Sequence, residues 1–209
     1  MAEDDEAPGD GEVARRDAQG IVVERATFRG GVLHGPFRLY APGGALLREA
    51  FHADGRAEGL ATDYDDAGRK LAETTWRAGV RDGPARLFRD GRLMMEMAWK
   101  EGALEGPLVA YHDGGAVAAV IPHRAGRPHG VVETFAPTGE RQTAVAMEDG
   151  LRHGLSLVFD PDGREIERTE WVRGAPASAA VPTAAPDKTD PAAAFYAALA
   201  AEGARRQLT

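Results

Sequence analysis

The chain has 209 residues, 43% of them hydrophobic, with no cysteine and a net charge of −8. Lack of cysteine excludes disulfides and thiolate metal sites and fits a reducing compartment. The acidic balance argues against a nucleic-acid partner, because phosphate binding needs a basic face.

The first segment, residues 1–19, is acidic and aperiodic, with Glu3, Asp4, Asp5, Glu6 and Asp10 at its start. It is expected to be a disordered tail. It has no apolar h-region, so it does not read as a secretory signal. No apolar run in the chain approaches the ~20 residues that span a bilayer, and the expected location is the cytoplasm.

From residue 20 to 174 glycine recurs on a grid. Gly31, Gly55, Gly79, Gly102, Gly126, Gly150 and Gly174 are 24, 24, 23, 24, 24 and 24 residues apart. A second series follows four residues later at Gly35, Gly59, Gly83, Gly106, Gly130 and Gly154. A third closes each unit at Gly44, Gly68, Gly91, Gly115, Gly139 and Gly163, with Gly20 in its phase. Such a period signals one supersecondary unit copied in tandem, which favours recognition across an extended surface over a single catalytic constellation.

Five residues after each second-series glycine stands an aromatic: Tyr40, Tyr64, Phe88, Tyr111, Phe135 and Phe159. With only 7% aromatics in the chain, one shared phase is not accidental. The stretch from aromatic to closing glycine is rich in Pro, Asp and Gly, which is turn chemistry. The 23-residue unit lost its residue between Phe88 and Gly91, where Asp90-Gly91 suits a tight hairpin tip.

The third position after the closing glycine is mostly apolar (Val23, Leu47, Leu71, Met94, Ala118, Gln142, Ile166). The eighth holds Phe28, His52, Trp76, Trp99, His123, Met147 and Trp171. The third position has the opposite strand parity to the sixth and eighth, so either both faces are partly apolar or a bulge changes the parity. Each unit reads as a two-stranded hairpin, joined to the next through Gly-x-x-x-Gly, and stacking is expected to bury a continuous aromatic stripe. The expected fold is all-β: a single-layer antiparallel β-meander of about six stacked hairpin repeats, plus a short C-terminal α-helix.

Gly-x-x-x-Gly with an aromatic five residues on, and Trp or Phe three residues before the next glycine, resembles the MORN repeat. It is closest to the bacterial MORN-variant form with units near 24 residues, over residues 20–174. The resemblance implies a sheet of stacked hairpins acting as an interaction scaffold. Some members are proposed to bind phospholipids and many bacterial ones are labelled antitoxins. His52, His123 and Met147 depart from the aromatic pattern. Pro122 falls inside a strand and removes a ladder donor, so an irregularity is expected there.

Catalytic and metal chemistry find little support. His34, His129 and His153 share one column with Glu58, Asp82 and Glu105. Successive units are two strands, roughly 9–10 Å, apart, and zinc ligands must lie within ~2.1 Å of one ion. The column therefore reads as a solvated connector row. The two serines, Ser156 and Ser178, lack a nucleophile elbow, and no Gly-Lys-Ser/Thr phosphate loop exists. No enzyme activity, cofactor or metal is expected.

Residues 175–190 form an Ala/Pro-rich linker. Residues 191–207 are expected to form a helix, with Asp190 as N-cap and Pro191 in its first turn. The candidate partner-binding residues are Tyr40, Tyr64, Phe88, Tyr111, Trp76 and Trp99 on the sheet, and Phe195, Tyr196 and Leu199 on the helix. The expected partner is another protein. The alternative is an anionic membrane surface, for which the best basic column is Arg29, Ala53, Arg77, Lys100, Arg124, Glu148 and Val172.

Overall fold

A computed structural model describes residues 9–177. The expected helix at 191–207, with Phe195, Tyr196 and Leu199, lies outside the described residues, as does the linker beyond Ala177.

The described chain is one open antiparallel meander of 17 strands. It opens with β1 (Gly11–Arg16), β2 (Val22–Arg29), β3 (Val32–Tyr40), β4 (Leu46–Ala53), β5 (Arg56–Tyr64) and β6 (Lys70–Arg77). Next come β7 (Val80–Arg89), β8 (Arg92–Lys100), the short β9 (Ala103–Leu104), β10 (Gly106–Tyr111) and β11 (Val117–Arg124). The last are the short β12 (Arg127–Pro128), β13 (Gly130–Phe135), β14 (Arg141–Glu148), β15 (Leu151–Phe159), β16 (Glu165–Val172) and the short β17 (Ala175–Pro176). Each strand pairs with its neighbours in sequence, β9 and β10 both lying along β8, and β12 and β13 both along β11.

Two kinds of turn alternate. The first-series glycines sit second in two-residue turns: Asp54-Gly55 has φ of 48° and 78°, Ala78-Gly79 has 49° and 83°, Asp149-Gly150 has 49° and 88°. Positive φ at both central residues matches the right-handed twist of the flanking strands. The other tips are longer: Ala41 N–H reaches Ala45 O at 2.8 Å and Gly44 N–H reaches Ala41 O at 2.8 Å. The 23-residue unit replaces this tip by a two-residue turn, with Arg89 paired to Arg92 and φ of 52° and 76° at Asp90 and Gly91.

The parity question resolves as a bulge in every unit. Leu39 pairs with Arg48 and Tyr40 with Leu46, so Leu47 is the extra residue. The same shift precedes Tyr64, Phe88, Tyr111, Phe135 and Phe159. A second irregularity lies at the second-series glycines. Thr74 pairs with Ala85 and Trp76 with Arg81, which leaves Thr75 facing three residues that include Gly83. An added Cβ on Gly83 would lie 3.0 Å from Thr75 Cβ, and φ there is 120°. Pro122 falls at this same place in its unit, in register with Pro107, and its carbonyl accepts His129 N–H at 2.8 Å. The lost donor is tolerated because the ladder is interrupted there in every unit.

Register alternation sorts the side chains onto two faces. The tryptophan column shares one face with most of the buried residues, among them Ala26, Ala50, Ala61, Met95, Met97, Leu108, Ile121 and Val132. Leu108 is 0% and Ile121 2% exposed, so the largest fully buried side chains meet on β10 and β11. The Tyr/Phe column lies on the opposite face and is half-buried throughout. The expected continuous aromatic stripe is therefore two stripes on two faces: Trp76 pairs with Gly59, and Tyr64 stands an odd five residues further along β5, so alternation turns it to the other face.

The array also starts earlier than residue 20. Gly11 has φ 111°, like 121° at Gly35, and begins β1, which pairs with β2 from Gly11 opposite Phe28. This corrects the expectation of disorder for 11–16: the strand is the first half of a further hairpin, completed by β2, with Arg16 in the aromatic place. Similarly, Ala175–Pro176, expected as linker, pairs with Trp171 and Val172.

Candidate binding surface

On the tyrosine face, charged side chains form a ladder beside the aromatic column. Arg38 meets Glu49 at 3.0 Å, Arg86 lies 3.8 Å from Glu73 and 2.9 Å from Glu96, and Arg141 meets Glu133 at 3.0 Å. The Tyr111 hydroxyl donates to Glu96 Oε2 at 2.8 Å. That bond, with the Arg86 guanidinium next in weight, holds the Glu96 carboxyl below its ordinary range. The same bond is the chief reason the Tyr111 phenol titrates above its own. Arg141 also places its guanidinium carbon 4.3 Å from the Phe159 ring centroid.

Toward the two-residue turns the same face becomes apolar and open. The residue after each second-series glycine is Pro36, Leu60, Pro84, Pro107, Val131 or Leu155, all exposed. Their cross-strand partners are Phe51, Thr75, Ala98, Pro122, Ala146 and Glu170. Phe51, Leu60 and Val131 are 43%, 56% and 49% exposed. Sequence reasoning passed over this band, although an apolar residue after every second glycine was visible.

At the other end of the strands, Arg92, Leu93, Tyr111, Asp113, Gly114 and Gly115 line a shallow depression of about 510 Å³. It lies where the shortened Asp90-Gly91 tip stands beside the longer tip at His112–Ala116, and Arg92 donates to Asp113 O at 3.3 Å.

The predicted site residues do not form one surface. Tyr40, Tyr64, Phe88 and Tyr111 share the tyrosine face. Trp76 and Trp99 lie on the other, flanking Arg81, whose guanidinium carbon is 5.9 Å and 4.6 Å from their ring centroids.

The His/acid column is neither free nor a ligand set. His34, Glu58, Asp82, Glu105 and His153 accept a backbone N–H of the two-residue turn of the next unit, and His129 Nδ1 lies 3.4 Å from the Asp149 carboxylate there. The N–H of Asp54 donates to His34 Nδ1 at 3.2 Å, of Ala78 to Glu58 at 2.7 Å, of Glu101 to Asp82 at 3.2 Å, and of Ala125 to Glu105 at 2.9 Å. The following glycine N–H bonds back as well, Gly79 to Ala57 O at 2.8 Å and Gly126 to Leu104 O at 2.9 Å. These bonds clasp unit to unit. No group of three or more His, Cys, Asp or Glu among the described residues could hold a metal ion. No described helix is long and apolar enough to cross a membrane.

No protein-family model matches the chain, and no curated protein sequence matches it.

Proposed function

We propose that this protein is a non-enzymatic repeat scaffold of the MORN-variant kind that binds another protein through its tyrosine face. The observation carrying this reading is the exposed apolar band of Phe51, Leu60, Val131 and Leu155, bordered by the Arg/Glu ladder. Apolar surface rimmed by polar groups is the usual mark of a partner site. The resemblance extends the proposal to an antitoxin, immunity or accessory-adaptor role in a bacterial cytoplasm.

Lipid headgroups are the weaker reading. Arg29, Arg77 and Arg124 of the best basic column lie 3.2, 3.8 and 3.5 Å from Asp54, Asp82 and Asp149. Those carboxylates reduce the positive charge available to an anionic surface. The test is a pull-down from native lysate with the wild type and the Leu60→Asp/Val131→Asp variant, paired with flotation on anionic vesicles at low salt. Partners retained by wild type and lost by the variant support the proposal. Equal retention, or vesicle binding without a protein partner, overturns it.

A further inference from the structure

Within the described residues the strand array starts and stops in mid-unit, and its two ends are complementary. Among the described residues β1 pairs on one side only, with β2. The outer edge of β16 is paired only near its end, by β17 at Trp171 and Val172.

β17 is the opening piece of a strand type seen whole elsewhere. Ala177 N–H bonds Glu170 O at 2.8 Å, as Glu105 N–H bonds Ala98 O at 3.0 Å after β9 and His129 N–H bonds Pro122 O at 2.8 Å after β12. In those inner units the next residue is a glycine, Gly106 at φ 82° or Gly130 at φ 110°, and pairing then resumes in β10 or β13. Here the next residue is Ser178, and a Cβ disfavours the left-handed dihedral that glycine takes at this place in the inner units. The glycine-led strand that would continue along β16 has its equivalent in β1, which begins on Gly11 at φ 111°.

We propose that a second copy of this chain completes the array, its β1 pairing antiparallel with the open edge of β16. The register follows from β14 and β15, where Thr143 faces Val158, Ala144 faces Leu157 and Val145 faces Ser156. By repeat equivalence Glu167 faces Arg15 of the second copy, Arg168 faces Ala14 and Thr169 faces Val13. Arg15 is 64% exposed and bonds Glu24 at 2.9 Å on its inner side, so Glu167 brackets it from the outer side. Glu12, which comes next to Glu170 in this register, is already paired with Arg25. Charge also selects against like ends meeting. Two β16 edges would oppose Glu165, Glu167 and Glu170 to one another, and two β1 edges would oppose Arg15 and Arg16. The contact is head-to-tail, so each copy keeps one free end for the next and association can run beyond a dimer. It uses strand edges, and stands or falls independently of partner binding on the tyrosine face.

The test is sedimentation of the full chain over a concentration series. Expected is an average mass that rises with concentration and falls with added salt. Arg15→Glu and Glu167→Arg should each remain monomeric with unchanged far-UV circular dichroism, and an equal mixture of the two should associate again. Should Arg15→Glu lose its fold through Glu24, Arg15→Gln reads the same contact as weakened association. A wild type that stays monomeric at the highest concentration, as it would if the chain's own residues beyond Ala177 filled the edge, overturns the proposal. So does association that both charge variants retain, or a mixture that fails to recover it.

Discussion

The Glu58 carboxylate accepts the backbone N–H of Ala78 at 2.7 Å, joining one repeat unit to the turn of the next. Ala78 is held at φ 49°, a dihedral that a non-glycine residue adopts only where its surroundings impose it. Glu58→Ala should lower stability by about 1 kcal/mol, the net worth of a hydrogen bond. Glu58→Gln, which keeps an acceptor, should recover most of that loss. Urea unfolding checks both, and equal losses in the two variants would mean that charge rather than the bond acts here.

The second-series glycines are not equivalent. At Gly83, φ is 120° and an added Cβ meets Thr75 Cβ and Cγ2 at 3.0 Å, whereas Gly106 at φ 82° has nothing within 4 Å. Gly106→Ala should cost about 1 kcal/mol for its dihedral alone. Gly83→Ala should cost at least about 2 kcal/mol, dihedral and overlap together. Thermal melts of the two variants rank them, and a larger loss at Gly106 would contradict the close-approach account.

Stability should fall on the acid side of neutrality. Burial is the main cause pushing both His52 and His123 below the ordinary 6.5; Arg48 adds to it at His52, and the Ile121 carbonyl opposes it at His123. The unfolded chain, with its histidines at the ordinary value, therefore takes up protons first. The contribution is full above 6.5 and drains as pH falls through it, until the folded imidazoles themselves protonate. His123→Met, the side chain Met147 places in the same column, should flatten the fall in Tm between about pH 7.5 and 5.5. An unchanged slope would assign the acid sensitivity to other groups.

Trp99 packs on the core side, with the Arg81 guanidinium carbon 4.6 Å from its ring centroid, while neighbouring Lys100 is exposed. Complete aromatic truncations in cores cost about 3–5 kcal/mol, and half-burial scales that down, so Trp99→Ala should cost about 2 kcal/mol. Lys100→Ala should stay within about 0.5 kcal/mol. Denaturant midpoints compare the two directly.

Much of this architecture was legible one residue at a time. The shortened tip at Asp90-Gly91 was placed from spacing alone, since a one-residue loss is harmless in a turn and ruinous in a strand. β1 escaped because Arg16 occupies the aromatic place, although Gly11 and Gly20 keep the spacing of Gly35 and Gly44. The clasp escaped because His34, Glu58 and Asp82 look like ordinary solvated side chains. Their partners are backbone donors some twenty residues away, brought close by stacking.

The chain by itself determined the unit, its period and its turns, because positive φ is a property of single residues and glycine records it locally. Only the folded sheet decided that Trp76 and Tyr64 lie on opposite faces, which face is packed, and that Phe51 and Leu60 are open. Faces depend on register between strands: the pairing of Trp76 with Gly59, five residues from Tyr64, sets the two aromatics apart, and no pattern along a single strand reveals that pairing.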